Sequence, residues 1–194
     1  MKTTSSLADL LDQYRSGIIP PGDFNIKMIL VGDAGVGKTS ITFRFLEKRF
    51  LTNYITTLGV NIMRKSHSLG DATNINWIIW DMGGQESYES YRKKFYGGTA
   101  AAFLVFDKTN AESFLSLQNH WISEIQDAGI DLDKLPVFVI ANKIDLEDQV
   151  QVATDEIREC CQLHNFDFIE TSAKDGTNIE EAFELLAYKY LQNI

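Results

Sequence analysis

Basic residues are in the minority in this chain. Its 18 lysines and arginines stand against 27 aspartates and glutamates, a formal charge of −9 over 194 residues. A nucleic-acid binder normally presents a basic face and a lipid-docking segment clustered cations, so the composition speaks against both. Cysteine is scarce. The two copies, Cys160 and Cys161, are neighbours in a helical stretch. Adjacent cysteines make a poor disulfide or metal pair, so the expectation is two small apolar fillers in a reducing, intracellular setting. Proline occurs three times, and Pro20-Pro21 sits with Gly22 where a leader helix has to stop. Long hydrophobic runs are missing, which removes a membrane span. The polar start Met1-Lys2-Thr3-Thr4-Ser5-Ser6 has no secretory core. Lysine at position 2 excludes glycine myristoylation, and Leu191-Gln192-Asn193-Ile194 offers no prenylation cysteine. The expected location is cytoplasmic, peripheral to membranes through partners.

What remains is an ordinary globular composition, 44% hydrophobic and 23% charged, of a length that suits one domain with a sizeable core. Residues 1–23 read as a leader in which Leu7, Leu10, Leu11 and Tyr14 recur at helical spacing after a Ser6 cap. Its polar face carries Asp9, Asp12 and Gln13 with a single base, Arg15. The leader is therefore expected to dock on its own domain, with partner binding second and disorder third. From residue 24 on, strands and helices alternate. Strands are expected at 24–31, 60–68, 75–80, 101–106, 137–141 and 166–169, and helices at 37–47, 111–126, 154–163 and 179–191. The second and third strands are close enough for a hairpin. The pattern predicts a doubly wound α/β fold: a mostly parallel six-stranded sheet with one antiparallel edge strand.

The most informative stretch is Gly32-Asp33-Ala34-Gly35-Val36-Gly37-Lys38-Thr39, followed by Ser40. It fits the phosphate-binding pattern G-x-x-x-x-G-K-[ST], for which chance odds in a chain this long are on the order of one in a hundred. It also lies where the pattern has physical meaning, between a buried strand and a helix. Glycine lets such a turn bring backbone N–H groups against an anion, and the helix N-terminus adds its dipole. Lys38 supplies a mobile positive charge for terminal phosphates and Thr39 a hydroxyl for magnesium. Trp80-Asp81-Met82-Gly83-Gly84-Gln85-Glu86 follows the third strand. Asp81 can hold magnesium through a bound water, Gly84 can donate its N–H to a terminal phosphate, and Gln85 can orient an attacking water.

Asn142-Lys143-Ile144-Asp145 follows the fifth strand. A carboxylate such as Asp145 can accept from the ring N–H and the exocyclic amine of guanine, whereas adenine offers neither donor there. Thr171-Ser172-Ala173-Lys174 follows the last strand. There the Ala173 N–H could meet the guanine carbonyl and Lys174 could pack on the base edge.

In their order and spacing these motifs make the chain resemble a small GTPase of the Ras superfamily, closest to the Rab branch, over about residues 24–192. The resemblance implies GTP or GDP and magnesium as ligands. It implies that 50–60 form a first switch, with Thr57 on magnesium and γ-phosphate, Tyr54 over the phosphates and Phe50 on the base. Residues 81–96 resemble the second switch. Exchange factor, activating protein and effectors are then expected to bind through residues 50–62 and 81–96. The chain departs from the family pattern in three ways. Met82-Gly83-Gly84-Gln85 is nearer to Arf-like and Gα proteins than to the Rab form, Thr-Ala-Gly-Gln. Ala34 stands where Ras proteins carry glycine, and no lipidated tail is present. Gα proteins carry an arginine two residues before the switch threonine, where Ile55 stands here, which implies slow turnover without an activator. A non-hydrolysing, GTP-bound scaffold is the alternative function.

Overall fold

A computed structural model describes residues 7–50 and 57–194. The expected Ser6 cap and the first-switch stretch 51–56, with Tyr54 and Ile55, lie outside the described residues. In chain order the elements are α1 (Leu7–Arg15), β1 (Gly22–Val31), α2 (Lys38–Glu47), β2 (Val60–Leu69), β3 (Thr73–Met82), α3 (Glu89–Arg92), β4 (Ala101–Asp107), α4 (Ala111–Ser116), α5 (Ile122–Asp127), β5 (Val137–Asn142), α6 (Thr154–His164), β6 (Asp167–Thr171) and α7 (Ile179–Leu191). One sheet takes the order β2-β3-β1-β4-β5-β6. The β2–β3 hairpin is antiparallel and the remaining pairs are parallel.

Every residue of β4 and β5 is buried, as expected of parallel strands covered on both faces, and this is why they read as continuous apolar runs. One face packs Met28, Phe103 and Phe138 under α2 and α7, where the Phe45 and Phe183 rings stack. The other packs Ile29, Leu104 and Val139 against Trp121, Ile125 and Cys161. Both cysteines are thus core fillers with unpaired thiols. The chain leaves β1 toward β3 on one side and later returns to β4 on the other. That topological switch opens a crevice at the carboxyl ends of the strands, where every sequence motif falls.

Several details differ from the sequence reading. β3 spans Thr73–Met82 and so takes in Asp81, which was expected after the strand. β1 begins at Gly22, inside the expected leader, because the Gly22 N–H donates to the Ala72 carbonyl at 2.9 Å. β6 begins at Asp167, one residue later than expected. The helix expected over 111–126 is interrupted by a π-helical turn, Leu117–Trp121. A single widened turn leaves the apolar spacing nearly helical, so periodicity does not reveal it.

Helix α1 lies against α7. Leu7, Leu10 and Leu11 pack on the first core cluster, and Tyr14 is buried. The Tyr14 hydroxyl donates to Asp167 at 2.8 Å, and Arg15 makes a forked pair with Glu184 at 2.8 and 2.9 Å. Among the described residues no helix is long and apolar enough to cross a membrane.

Candidate functional site

The loop after β1 wraps one end of the crevice. Gly37 takes a φ of +105° at the entry to α2, and a Cβ there would sit 2.2 Å from the Asn142 amide nitrogen. Glycine is therefore required on two counts, conformation and space. Lys38 is buried and donates to the carbonyls of Gly32 at 2.7 Å and Asp33 at 2.8 Å. Burial lowers its pKa to about 8, against the opposing pull of Asp81 and Asp33. Among the described residues no carboxylate forms an ion pair with this ammonium, which rests on two carbonyls and can still take an anion.

Next to it, three oxygen-bearing side chains converge. The Thr39 hydroxyl donates to Asp81 Oδ2 at 2.5 Å and lies 2.8 Å from the Thr57 hydroxyl, which is itself 3.4 Å from Asp81 Oδ2. Asp81 is wholly buried, its other oxygen, Oδ1, has no partner among the described residues, and burial raises its pKa. An orphaned carboxylate oxygen beside two hydroxyls is a hard, anionic donor set that fits a magnesium ion. The remaining wall is Gly84, where a Cβ would come within 2.4 Å of the Ala34 nitrogen. Ala34, Gly35, Gly37, Lys38, Thr39, Ser40, Thr57 and Gly84 enclose a narrow slot of ≈ 20 Å³.

This slot adjoins a wider cavity of ≈ 470 Å³ lined by Gly35, Gly37, Ser40, Phe50, Asn142, Lys143, Asp145, Leu146, Ala173 and Lys174. Asn142 knits its walls together. Its amide nitrogen donates to the Val36 carbonyl at 2.9 Å, and its oxygen accepts from Thr171 and from the Ala173 N–H, both at 3.2 Å. Ser172 donates to Asp145 Oδ1 at 2.7 Å, and Lys174 stands 3.6 Å from Asp145 Oδ2. The Asp145 carboxylate is thereby aimed and partly shielded. Lys143 takes a φ of +70° and pairs with Asp107 at 2.7 Å.

One long cavity with a cation at its narrow end and an oriented carboxylate at its wide end matches a nucleotide in shape and polarity. The Ras family model matches residues 27–192. The chain belongs to the Ras family. Among its relatives, Rab-8B of Pongo abelii is 38% identical over 85% of this chain and 78% of its own length. Rab-7b of Bos taurus is 39% identical over 89% and 85%, and Rab-27A of Rattus norvegicus 35% over 84% and 77%. The chain is a Rab-like small GTPase in general type, and members of this family bind guanine nucleotides with magnesium.

In this Ras-family protein most residues expected from the motifs meet in one place, but some do other work. The Asp33 side chain points away from the slot and accepts from Ser116 and Trp121, both at 2.7 Å; its backbone carbonyl is what Lys38 uses. Val36 is buried in the core and contributes its carbonyl to Asn142. The Ala173 N–H is engaged by Asn142, and Ser172 acts on Asp145. Gln85 is half-buried beside the slot but not among its lining residues.

Sequence reasoning missed Leu146, which lines the wide cavity, and Asp107, which holds Lys143. It also missed Arg44, whose guanidinium donates to the carbonyls of Ala173 and Lys174. Nothing in a local pattern marks a helical arginine as the support of a loop 129 residues away.

Proposed function

We propose that this protein binds GTP and GDP with magnesium, hydrolyses GTP, and changes the order of its two switch segments with the state of the nucleotide. The observation that carries this reading is the joint placement of Lys38, Thr39, Thr57 and Asp81 in one slot and of Asp145 in the adjoining cavity. Lys38 and the backbone N–H groups of residues 34–39 take the β- and γ-phosphates. Thr39, Thr57 and Asp81 hold magnesium, which neutralises charge on the phosphate oxygens. Asp145 selects guanine by accepting from its two donors, with Phe50 and Lys174 beside the base. The Gly84 N–H faces the γ-phosphate, and Gln85 orients the attacking water. Turnover is slow on its own, since no described arginine lines the slot and position 55 is isoleucine.

Regulators and effectors are proposed to bind residues 50–62 and 81–96. Leu58, Ile62 and Tyr91 support this, because they expose 73%, 50% and 47% of their surface on those segments. A non-hydrolysing scaffold is the second reading, favoured by the position of Gln85 outside the slot lining and by Ala34 in the phosphate loop. Single-turnover GTP hydrolysis separates the two. Gln85→Leu should leave GDP affinity unchanged and slow hydrolysis at least tenfold, about 1.4 kcal/mol of barrier. Equal rates for the two proteins favour the scaffold.

A further inference from the structure

Behind the second switch lies a buried polar network that the reading above does not use. Arg92, at the end of α3, has no exposed surface, yet its donors are well matched. Nε and Nη2 fork onto Glu124 at 2.9 and 2.5 Å. Nη1 donates to two carbonyls, Gly83 at 2.9 Å and Gln85 at 2.5 Å. The guanidinium also lies over the Trp121 ring, 4.5 Å from its centroid. Glu124 is saturated in turn: Oε1 accepts from Tyr96 at 2.5 Å besides Arg92, and Oε2 faces His120 Nε2 at 3.2 Å.

Glu89, His120 and Glu124 lie close enough to share a cation. A metal ion would have to displace Arg92 from Glu124 and Lys93, 2.7 Å away, from Glu89, so the cluster reads as an anchor and not as a metal centre.

The two carbonyls that Arg92 holds are those on either side of Gly84, where a Cβ would come within 2.4 Å of the Ala34 nitrogen in the phosphate loop. Trp121, under the guanidinium, donates to Asp33 of that same loop. The π turn therefore serves as a common reference for both walls of the slot. It reaches the phosphate loop through Trp121 and Asp33, and the second switch through Arg92. We propose that Arg92 is a positioning residue for hydrolysis: it fixes the backbone at Gly83 and Gln85 so that the Gln85 amide meets the γ-phosphate side of the slot. Arg92 lines neither the slot nor the wide cavity. It rests on the role assigned above to Gln85 and acts through it. Lysine cannot replace it, because one ammonium cannot reach two carbonyls and a carboxylate in a planar fork.

Truncating Arg92 alone would strand a buried carboxylate and endanger folding, so the test uses the paired apolar exchange Arg92→Met with Glu124→Leu, which removes both charges and keeps volume. Expected are GDP affinity within about threefold of the unaltered protein and single-turnover hydrolysis slowed about 10–100-fold, the range of a misplaced reacting group. Amide hydrogen exchange should be faster over residues 83–92. Adding Gln85→Leu to this pair should slow hydrolysis no further than Gln85→Leu does alone.

Two results overturn the proposal. One is unaltered hydrolysis in the folded Met/Leu protein while Gln85→Leu is slow. The other is independent, multiplicative losses when the changes are combined. If Gln85→Leu by itself changes nothing, the role given to Gln85 fails instead, and hydrogen exchange over 83–92 still reports whether Arg92 anchors the loop. If the Met/Leu protein fails to fold, Arg92→Lys with Glu124 retained is the second variant. It should likewise slow hydrolysis at unchanged GDP affinity, and hydrolysis at the unaltered rate there overturns the proposal.

Discussion

Asn142→Ala tests whether one buried amide joins the two ends of the site. Asn142 is 1% exposed and makes three bonds: to the Val36 carbonyl, the Ala173 N–H and the Thr171 hydroxyl. Alanine leaves a carbonyl and an N–H buried without partners and frees a hydroxyl that can turn. Each stranded buried group costs about 1–3 kcal/mol, so the stability loss should total roughly 2–6 kcal/mol. For a chain of this size that is a fall in Tm of about 4–24 °C. Val36 lies between the lining residues Gly35 and Gly37, and Ala173 lines the same wide cavity, so nucleotide affinity should fall as well, by at least about tenfold or 1.4 kcal/mol.

Urea unfolding at saturating GDP and magnesium reads the sum of the two effects. Displacement of a fluorescent GDP analogue reads the affinity alone, and the difference is the structural part. Thr171→Val is the control, since it removes a single 3.2 Å bond and should cost about 1 kcal/mol. A structural loss below about 1 kcal/mol for Asn142→Ala would refute the argument that this side chain carries the coupling.

Three further outcomes are expected. Asp145→Asn should shift preference from guanine toward xanthine nucleotides, and Asp145→Ala should weaken GTP and GDP by orders of magnitude, at roughly 1–3 kcal/mol per unpaired donor; equal competition by ATP in the unaltered protein would contradict guanine selection. Lys38, with its pKa lowered to about 8 by burial, loses its proton in the free protein as pH rises past that value. Anion binding favours the protonated form, so GDP affinity should fall about tenfold between pH 7 and 9, and a flat titration would sink the assignment. Deleting residues 1–20 removes the buried Tyr14 and its bond to Asp167, so thermal stability should drop while GTP binding persists; an unchanged Tm would mean that α1 does not hold the domain.

The legible parts of the site were those whose chemistry is local. Gly37-Lys38-Thr39 announces itself because a phosphate loop has to be contiguous: neighbouring N–H groups and one helix terminus do the binding together. Asp81 and Asp145 were legible for a related reason, since Asp81 closes a buried strand and Asp145 follows one, and strand ends share one edge of a parallel sheet. Asp33 shows the limit. It sits inside the motif, yet its carboxylate turns toward Ser116 and Trp121, and no rule of spacing distinguishes a residue that faces the ligand from one that faces the scaffold. Leu146, Asp107 and Arg44 carry no motif and take part only because the chain folds them against motif residues.

By itself, then, the sequence determined the alternation of strands and helices, the hairpin edge, and the order of the binding motifs along the sheet. All of these follow from apolar periodicity and turn chemistry acting over a few residues. Tertiary structure decided which oxygens meet around the orphaned Asp81 carboxylate, what Asn142 joins, and how Arg92 comes to hold the second switch. It also decided the π turn, through which Trp121 is buried in the core while its indole N–H reaches Asp33. Apart from the bonds of Arg92 to Gly83 and Gln85, 9 and 7 positions away, those contacts join residues from 18 to 106 positions apart. Their existence depends on burial, which removes water as the competing partner and leaves each polar group to find another.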